Sequence, residues 1–424
     1  MLFEGILQGT LAQGSERIKI AVVVWDLSIS GGTQRQALEL ASYLAQREHT
    51  VKVFCGYLDK ARCYPDLIGQ FEIHCLHEMD YAERPQLKSP LRKIFYPCEP
   101  ILSKEESCLA KMMDDDFDVV NPHEHRAYRT AYYYKKRNKK PVVWMVNDLP
   151  GSIARGWNGI GLRKVVLKVH YILFGGFIGF YIDRERMRTI DMSVVFDENS
   201  RKSFLCAIGK EPSRVNSGLD PFSFEFHEKS LDPGKLKLRL LAVGIFFPHR
   251  RYEDLIVAVN TLVGDGWDVS LDIVGSDAYD KLYARRIREL VSSMGLNERV
   301  RFRGAVSEDE LRDAYSAADV FVFPNWPQTW GLAVFEAMAS GTPSVVSTGA
   351  GASEILVDGE NALLFQPGRP EEIVACLKRL REDSKLYSRL SRKGRGFVEK
   401  NVTWEVYGQR MESLLEKAIA ARRF

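Results

Sequence analysis

The sequence predicts an α/β fold built from two doubly wound, parallel-sheet domains. The chain has 424 residues, which is enough for two separate hydrophobic cores. Short, continuously apolar segments alternate with helical segments, as in sheets whose strands are joined by crossover helices. This alternation stops at a polar, proline-containing stretch, Asp220–Gly234, and starts again at Leu238. We therefore predict one domain on each side of that stretch.

The first half opens with Arg17–Asp26, whose Ile and Val run is typical of a buried parallel strand. The turn Ser30–Thr33 and a helix, Gln34–Gln46, follow it. Further apolar segments predict the remaining strands of this half: Thr50–Cys55, Phe71–His77, Phe117–Asn121 and Pro141–Pro150. Two more segments, Asp191–Asp197 and Arg214–Asp220, complete it.

The second half repeats the pattern. Its predicted strands are Leu238–Gly244, Asp268–Gly275, Val300–Arg303, Asp319–Pro324 and Ser344–Ser347. Its predicted helices are Asp254–Val263, Asp280–Met294, Asp309–Ala317 and Leu332–Ser340, with a terminal amphipathic helix at Val402–Ala421.

Composition excludes several classes of protein. A net charge of +3 is too small to indicate a nucleic-acid partner, and 45% hydrophobic with 27% charged residues is typical of a soluble globular chain. The seven cysteines form no C-x-x-C pair, so neither a disulfide framework nor a zinc site is predicted. The first residues lack the pattern of a signal peptide. We expect a cytoplasmic protein.

Glycines mark one candidate phosphate site. Gly31 and Gly32 follow a buried strand and open a helix, so their amides could approach a phosphate closely. A tight strand-to-helix turn also needs glycine for steric reasons alone. Both interpretations stay open for this turn.

The segment Asn325–Glu354 carries the strongest local signal. A loop after a strand leads into a helix that opens at Trp330-Gly331, and a helix N-terminus offers unpaired N–H groups to an anion. Glu336 lies among apolar neighbours on that helix, so we expect it to have a fixed polar partner. An ordinary amphipathic helix of a parallel sheet is the alternative.

Two histidines follow the predicted strand Phe117–Asn121. His123, just beyond the strand end, could donate a hydrogen bond to a substrate or act as an acid or base. His125 fits a loop histidine with satisfied hydrogen bonds, and that alternative also applies to His123.

Residues 132–188 combine basic and apolar runs. Tyr132–Lys140 is basic and aromatic, and Leu162–Ile182 is mostly apolar with a basic leading edge. Its apolar part is too short to span a bilayer comfortably. It could lie at a membrane surface, which would make the protein peripheral; a buried helix with solvated lysines is the alternative.

These features together resemble the retaining nucleotide-sugar glycosyltransferases of glycosyltransferase family 4. The resemblance runs from Lys19 to Trp404 and is strongest over Val300–Glu354, which contains VRFRGAVSEDELRDAYSAADVFVFPN, GLAVFEAMASGTPSVVS and GASEIL. The Gly31-Gly32 turn and Ser217–Asp220 support it. Singly these motifs are unspecific, whereas together they are highly specific for the family.

The resemblance implies the GT-B fold of two facing Rossmann-like domains. It implies an acceptor-binding domain over residues 18–218 and a nucleotide-sugar-binding domain over 237–400. Residues 1–17 would be a disordered extension and 219–236 the linker, while the helix in 401–424 would pack back toward the N-terminal domain.

The resemblance also implies roles for single residues. Glu336 would bind the ribose hydroxyls, whereas Gln328 stands where the family has another glutamate. Arg250 matches the family's diphosphate-binding lysine, but Ile245 replaces its arginine. His123 matches a histidine beside the transferred sugar.

A second group of residues completes the implied donor site. Arg251 could supply what Ile245 cannot, with a surface salt bridge as the alternative. The diphosphate would also contact Gly31, Gly32 and the helix N-terminus formed by Gly331, Leu332 and Ala333.

The implied reaction transfers a hexose, with retention, from a nucleotide-diphosphate sugar to a glycan or lipid-linked acceptor. It needs no metal or other cofactor. Three alternatives stay open: a sugar phosphorylase or epimerase on the same fold, a degenerate nucleotide-sugar-binding protein, and a membrane scaffold based on Leu162–Ile182.

Overall fold

The computed structural model describes residues 16–78, 103–113, 116–147, 176–230, 237–327 and 330–422. The chain forms two compact units. The N-terminal unit comprises Met1–Val194, Ala207–Lys210 and Met411–Phe424, and the C-terminal unit comprises Val195–Cys206 and Glu211–Arg410. The predicted extension before Glu16 and the last part of the predicted linker, residues 231–236, lie outside the described residues.

The first sheet is parallel throughout its described pairs. Its strands are β1 (Lys19–Leu27), β2 (Thr50–Leu58), β3 (Ile73–Glu78), β4 (Val119–His123), β5 (Val143–Met145), β6 (Met192–Val195) and the two-residue β7 (Ser213–Arg214). They lie in the order β3-β2-β1-β4-β5-β6-β7. Residues 20–24 of β1 are completely buried, as expected for a central strand covered by helices on both faces.

Helices connect these strands. They are α1 (Gly32–Gln46), α2 (Pro65–Ile68), α3 (Lys104–Met112), α4 (Glu124–Asn138), α5 (Gly176–Arg188) and α6 (Glu198–Ile208).

The second sheet is also parallel. Its strands are β8 (Lys237–Val243), β9 (Asp268–Val274), β10 (Val300–Gly304), β11 (Val320–Phe323), β12 (Ser344–Ser347) and β13 (Leu363–Phe365), in the order β10-β9-β8-β11-β12-β13. Its helices are α7 (Tyr252–Gly264), α8 (Lys281–Ser293), α9 (Glu308–Ala317), α10 (Leu332–Ala339), α11 (Pro370–Glu382) and α12 (Ser384–Asn401). The last helix, α13 (Trp404–Ala420), begins in the C-terminal unit, and its residues from Met411 onward belong to the N-terminal unit.

The predicted α/β fold with two parallel sheets is confirmed. Two local predictions differ from the structure. The strand predicted to end at Asn121 continues to His123, and within the strand predicted over Pro141–Pro150 the structure has β5 at Val143–Met145 and a separate bridge from Val142 to Val120. The segment Arg214–Asp220 contributes Arg214 to β7. The sequence pattern predicted no element between Glu354 and Val402, where the structure has β13, α11 and α12.

In each sheet the strand order reverses beside the first strand. β1 lies between β2 and β4, and β8 lies between β9 and β11. The crossovers on the two sides of such a reversal run in opposite directions, so the loops after the two central strands separate and leave a crevice at their carboxyl ends. The β1/β4 and β8/β11 strand ends are therefore the places to look for ligand sites.

A close backbone approach fixes one turn of the C-terminal unit. A Cβ atom on Gly218 would lie 2.4 Å from the carbonyl carbon and oxygen of Thr403, just before α13. Leu219 donates its N–H to the Val402 carbonyl at 2.9 Å, so this approach is part of a backbone pairing. Only glycine fits there without moving the main chain.

Substitution of Gly218 by Ala should therefore destabilise the protein, by about 1–3 kcal/mol, because backbone atoms must shift to admit the methyl group. The matched control is Gly396→Ala within α12, where an added Cβ would meet nothing within 4 Å. That change should stabilise by about 0.5–1 kcal/mol, because alanine favours a helix interior. Urea unfolding of the two variants measures both effects, and equal signs would contradict the steric explanation.

Candidate functional site

Two loops meet at the β8/β11 reversal of the C-terminal unit. After β8 the chain makes a short 3-10 helix, Pro248–Arg250, and after β11 it forms the loop that contains Trp326. The Trp326 N–H donates to the His249 carbonyl at 2.8 Å. The guanidinium carbon of Arg251 lies 5.8 Å from the Trp326 ring centroid. The residues that follow the two central strands are thus in direct contact.

Arg250 packs over a glycine in the first of these loops. A Cβ atom on Gly244 would lie 2.8 Å from Arg250 Nε, so the glycine makes room for the guanidinium group. Arg250 Nε donates to the Ile245 carbonyl at 3.3 Å. Burial lowers the pKa of Arg250 from its ordinary value. A partly desolvated guanidinium interacts more strongly with an anion than a solvated one does.

Arg251 is held within its own turn. Its Nε and Nη2 atoms donate to the two carboxylate oxygens of Asp254 at 2.5 and 2.9 Å. Asp254 also accepts the Gly368 N–H at 3.1 Å. This geometry is that of the salt bridge that was the alternative interpretation of Arg251 from the sequence.

The helix α10 begins at the same edge of the sheet. Its N-cap, Gly331, has a φ of +89°, a conformation that glycine adopts without strain, and no side chain caps the helix. The N–H groups of Leu332 and Ala333 belong to the first turn, where an α-helix provides no internal acceptors. The helix N-terminus therefore presents donors and the positive end of its dipole to this edge.

Glu336 has the fixed polar partner that its apolar neighbours predicted. The buried hydroxyl of Tyr315, on α9, donates to Glu336 Oε2 at 2.7 Å. Burial, and after it the Glu336 charge, raises the pKa of Tyr315, so the hydroxyl stays protonated and keeps donating. Gln328, the other member of the predicted pair, lies outside the described residues.

The turn after β12 completes this edge. A Cβ atom on Gly349 would lie 2.3 Å from the Trp326 side chain, and one on Gly351 would lie 2.7 Å from Asp197 Oδ2. Both oxygens of Glu354 accept the Glu198 N–H at the start of α6, at 2.8 and 3.0 Å. These glycines are thus explained by close packing.

The residues that the sequence did not identify are those whose contacts are with residues distant in the chain. Tyr315, Asp197 and Glu354 each contact a partner more than twenty residues away in the chain. Tyr315 and Glu354 lie within the motifs quoted for Val300–Glu354, but neither was singled out as a site residue. No local pattern marks such pairs.

In the N-terminal unit the β1/β4 reversal brings the glycine turn and His123 to the same pair of neighbouring strands. Gly31 is extended, and a Cβ atom there would lie 2.6 Å from Gln34 Oε1. Gln34 in turn donates to the Asp26 carbonyl at 2.9 Å. Gly31 therefore has a steric reason to be glycine. Gly32 meets nothing within 4 Å, so its surroundings are open to a ligand.

His123 is the last residue of β4 and is completely buried. Its Nε2 atom lies 2.9 Å from Asn121 Oδ1, while Asn121 Nδ2 donates to the Val143 carbonyl at 2.6 Å. Since Asn121 Oδ1 can only accept, His123 Nε2 carries the proton and Nδ1 is the acceptor atom. Nδ1 has no hydrogen-bond partner among the described residues.

Burial lowers the pKa of His123 to about 3. The ring is therefore neutral at physiological pH, which disfavours the acid or base role considered from the sequence. Its available function is to accept a hydrogen bond at Nδ1. His125 lies in the first turn of α4 rather than in a loop.

The basic and aromatic run Tyr132–Lys140 belongs mostly to α4, which buries Tyr134 and directs Lys136 and Arg137 outward. The leading part of Leu162–Ile182 lies outside the described residues. Of the helices that the structure describes, none has both the length and the apolar character needed to cross a membrane. Nor do the described residues contain a group of three His, Cys, Asp or Glu side chains arranged to hold a metal ion.

Comparison with known proteins gives a family match that covers most of the C-terminal unit. Residues 223–422 match the family Glycosyl transferases group 1. Over 181 residues the chain is 32% identical to mannosylfructose-phosphate synthase of Agrobacterium fabrum, a match that spans 42% of the chain and 40% of that relative's length. It is 27% identical over 319 residues to the MMP alpha-(1->4)-mannosyltransferase of Mycolicibacterium hassiacum, spanning 72% of each protein.

The whole fold is shared with solved structures. Anabaena HepE, crystallised with UDP and glucose, superposes with a TM-score of 0.71 at 15% identity, covering 95% of the chain and all of HepE. At that identity the likeness establishes the fold alone. Residues 223–422 therefore resemble the Glycosyl transferases group 1 family, and the chain as a whole has the GT-B fold.

Proposed function

We propose that the protein is a retaining glycosyltransferase that moves a hexose from a nucleotide-diphosphate sugar to a glycan or lipid-linked acceptor without a metal ion. The observation that carries the proposal is the set of groups that follow β8 and β11 in the C-terminal unit. They are Arg250 after β8, and after β11 the N-terminus of α10 with the oriented carboxylate of Glu336. The match of residues 223–422 to the Glycosyl transferases group 1 family and the similarity to the MMP alpha-(1->4)-mannosyltransferase support the assignment.

Arg250 and the α10 N-terminus are suited to the donor diphosphate. A guanidinium group binds phosphate oxygens through two parallel N–H groups, and the Leu332 and Ala333 amides add donors that need no rearrangement. As the bond from the anomeric carbon to the diphosphate oxygen breaks, negative charge grows on that oxygen. Fixed positive groups stabilise this charge, which is the role that a divalent cation has in other enzymes.

Glu336 is suited to the ribose of the donor. An ionised carboxylate accepts hydrogen bonds from two neighbouring hydroxyls, and Tyr315 holds one of its oxygens in place. Gln328, where the family has a carboxylate, would both donate to and accept from sugar hydroxyls without adding charge. We therefore assign Gln328 to sugar selection.

The acceptor hydroxyl attacks the anomeric carbon from the side on which the diphosphate leaves, so the configuration is retained. The carbon–diphosphate bond breaks, a carbon–acceptor bond forms, and the hydroxyl proton passes to the departing diphosphate. His123 does not carry that proton. On its neutral ring, Nδ1 is the atom that can accept a hydrogen bond.

Contact of the chain with a membrane surface, through the basic end of α4, is part of the same proposal where the acceptor is lipid-linked. Lys136 and Arg137 are exposed there and could approach anionic headgroups. This contact would place the protein on the cytoplasmic face of a membrane.

Arg250→Gln should reduce kcat by about 100- to 1,000-fold, because the leaving diphosphate loses a charged donor. The measurement is release of nucleoside diphosphate from a panel of UDP-, GDP- and ADP-sugars with mixed acceptors. Arg251→Gln is the matched control and should keep kcat within about threefold, since that guanidinium is paired with Asp254. Full turnover by both Arg250→Gln and Glu336→Ala would refute the proposed function.

Tyr315→Phe should raise KM for the nucleotide sugar about five- to tenfold and change kcat less, because Glu336 loses the hydrogen bond that orients it. Tyr387→Phe is the control, since the Tyr387 hydroxyl donates at 2.7 Å to the Asp319 carbonyl instead. It should cost about 1 kcal/mol of stability and leave KM unchanged. The same KM for all three proteins would remove Glu336 from donor binding.

The free energy of unfolding should fall on acidification through His123. The unfolded chain binds a proton near pH 6.5 while the folded chain binds it near pH 3, so the folded state loses stability between these values. Relative to pH 7, this loss amounts to about 2 kcal/mol at pH 5. Urea unfolding of His123→Gln at pH 7, 6 and 5 should show a shallower slope than wild type.

The control is His227→Gln, at an exposed position, which should keep the wild-type slope. Parallel slopes for wild type and His123→Gln would contradict a buried neutral ring.

A further inference from the structure

One cavity of the C-terminal unit is lined by residues that the candidate site does not use. It has a volume of about 660 Å³ and lies at the start of α12. Four cationic side chains line it: Lys385, Arg389, Arg392 and Lys393. The other lining residues are three serines, Ser230, Ser384 and Ser388, so no acidic side chain is among them.

The periodicity of α12 puts these side chains on one face. Positions 385, 388, 389, 392 and 393 follow the three- and four-residue spacing of a helix surface. The opposite face is buried and contains Leu386, Leu390 and Val398. The basic face is therefore held in place by the core.

Only part of the charge on this face is neutralised. Arg392 pairs with Glu228 at 2.5 Å and Lys393 with Glu360 at 2.8 Å. Arg389 donates Nε and Nη2 to the Gly359 carbonyl at 3.3 and 3.1 Å, which orients its guanidinium without cancelling its charge. Lys385 has no ion pair among the described residues. Among the residues that the structure describes, the positive charges of Lys385 and Arg389 therefore have no acidic partner.

The remaining charges favour an anionic ligand. Lys385 and Arg389 are one helical turn apart, a spacing at which like charges repel. The pairs of Arg392 and Lys393 are about half exposed, and such pairs contribute little to stability, so they can exchange for a ligand. A dianion with three terminal oxygens would match two free cations and the serine hydroxyls better than a carboxylate would. That description fits a phosphate monoester.

The cavity lies at the opposite edge of the sheet from the candidate donor site. Ser230 comes before β8, and Gly359 and Glu360, which bond Arg389 and Lys393, come before β13. Ser391 of α12 donates to the carbonyl of Gly341, which comes before β12, at 2.6 Å. All these residues therefore approach the amino-terminal ends of parallel strands, whereas Arg250 and α10 follow carboxyl ends. A ligand here would not occupy the donor site.

We propose that this cavity, which we call the α12 phosphate pocket, binds a phosphate monoester separately from the nucleotide-sugar donor. The phosphate could belong to a soluble phosphorylated metabolite or to an anionic lipid headgroup, and both would be bound by the same groups. The proposal does not depend on the proposed function, because it uses other residues and another edge of the sheet.

The test compares Lys385→Gln/Arg389→Gln with a control double variant, Lys400→Gln/Lys417→Gln. Both doubles remove two positive charges, and the control residues are exposed and outside the pocket. Titration of each full-length protein with inorganic phosphate, at constant ionic strength set with chloride, is followed by the thermal unfolding midpoint and by calorimetry. A ligand that binds only the folded state raises the midpoint. A third variant, Arg250→Gln, reports on phosphate bound at the donor site.

We expect the control double to bind phosphate as wild type does, and the pocket double to bind at least about tenfold more weakly at this pocket, since it lacks Lys385 and Arg389. Arg250→Gln should keep the binding that the pocket double loses. Because Arg389 bonds a carbonyl, Lys385→Gln alone is included, and it should give an intermediate loss if the double proves unstable. Equal phosphate affinity in the wild type and in both pocket variants would overturn the proposal, as would a loss confined to Arg250→Gln.

Flotation with vesicles distinguishes the two sources of phosphate. Vesicles of phosphatidylcholine alone are compared with vesicles that also contain phosphatidic acid, whose headgroup is a phosphate monoester. Binding to the second kind only, and lost in the pocket double, assigns the pocket to a lipid headgroup. Phosphate binding without flotation assigns it to a soluble phosphorylated ligand.

Discussion

Burial of both faces of each parallel sheet is the constraint on which the rest of the structure depends. Strands such as β1 and β11 have almost no exposed surface, so their side chains are confined to packing. Polar chemistry is therefore left to the strand ends. The reversal of strand order beside β1 and β8 then selects one pair of ends in each unit, because only there do the following loops diverge.

The groups at the β8/β11 edge are held by neighbours rather than by their own sequence context. Arg250 rests over the missing side chain of Gly244, and Glu336 is oriented by a tyrosine from another helix. Such support matters for catalysis because a group that is already in position needs no reorganisation when charge develops in the transition state. As a consequence, some supporting positions accept only glycine or only one hydrogen-bonding side chain.

The fold was predictable from sequence because buried strands have a strong local signature. The continuous Ile and Val run of β1 and the alternation with helices needed no knowledge of distant residues. Glu336 could be singled out in the same way, since an acidic residue among apolar neighbours needs a partner. The identity of that partner, Tyr315, was hidden, because hydrogen bonds between distant elements leave no spacing to find. His123 could be picked out from its place after a strand, but its protonation state could not: burial keeps the ring neutral, and the Asn121 amide selects its tautomer.

The last helix, α13, adds a constraint on how the protein is made. Glu412 accepts hydrogen bonds from the Tyr43 hydroxyl at 3.0 Å and from His49 Nε2 at 2.9 Å, inside the N-terminal unit. The His49 side chain is completely buried, so without Glu412 its ring nitrogen would lose a partner in a site closed to water. The ribosome must synthesise residues 211–410 of the C-terminal unit before Glu412 emerges. The N-terminal unit can therefore form its buried contacts with Glu412 only after the C-terminal unit has been synthesised.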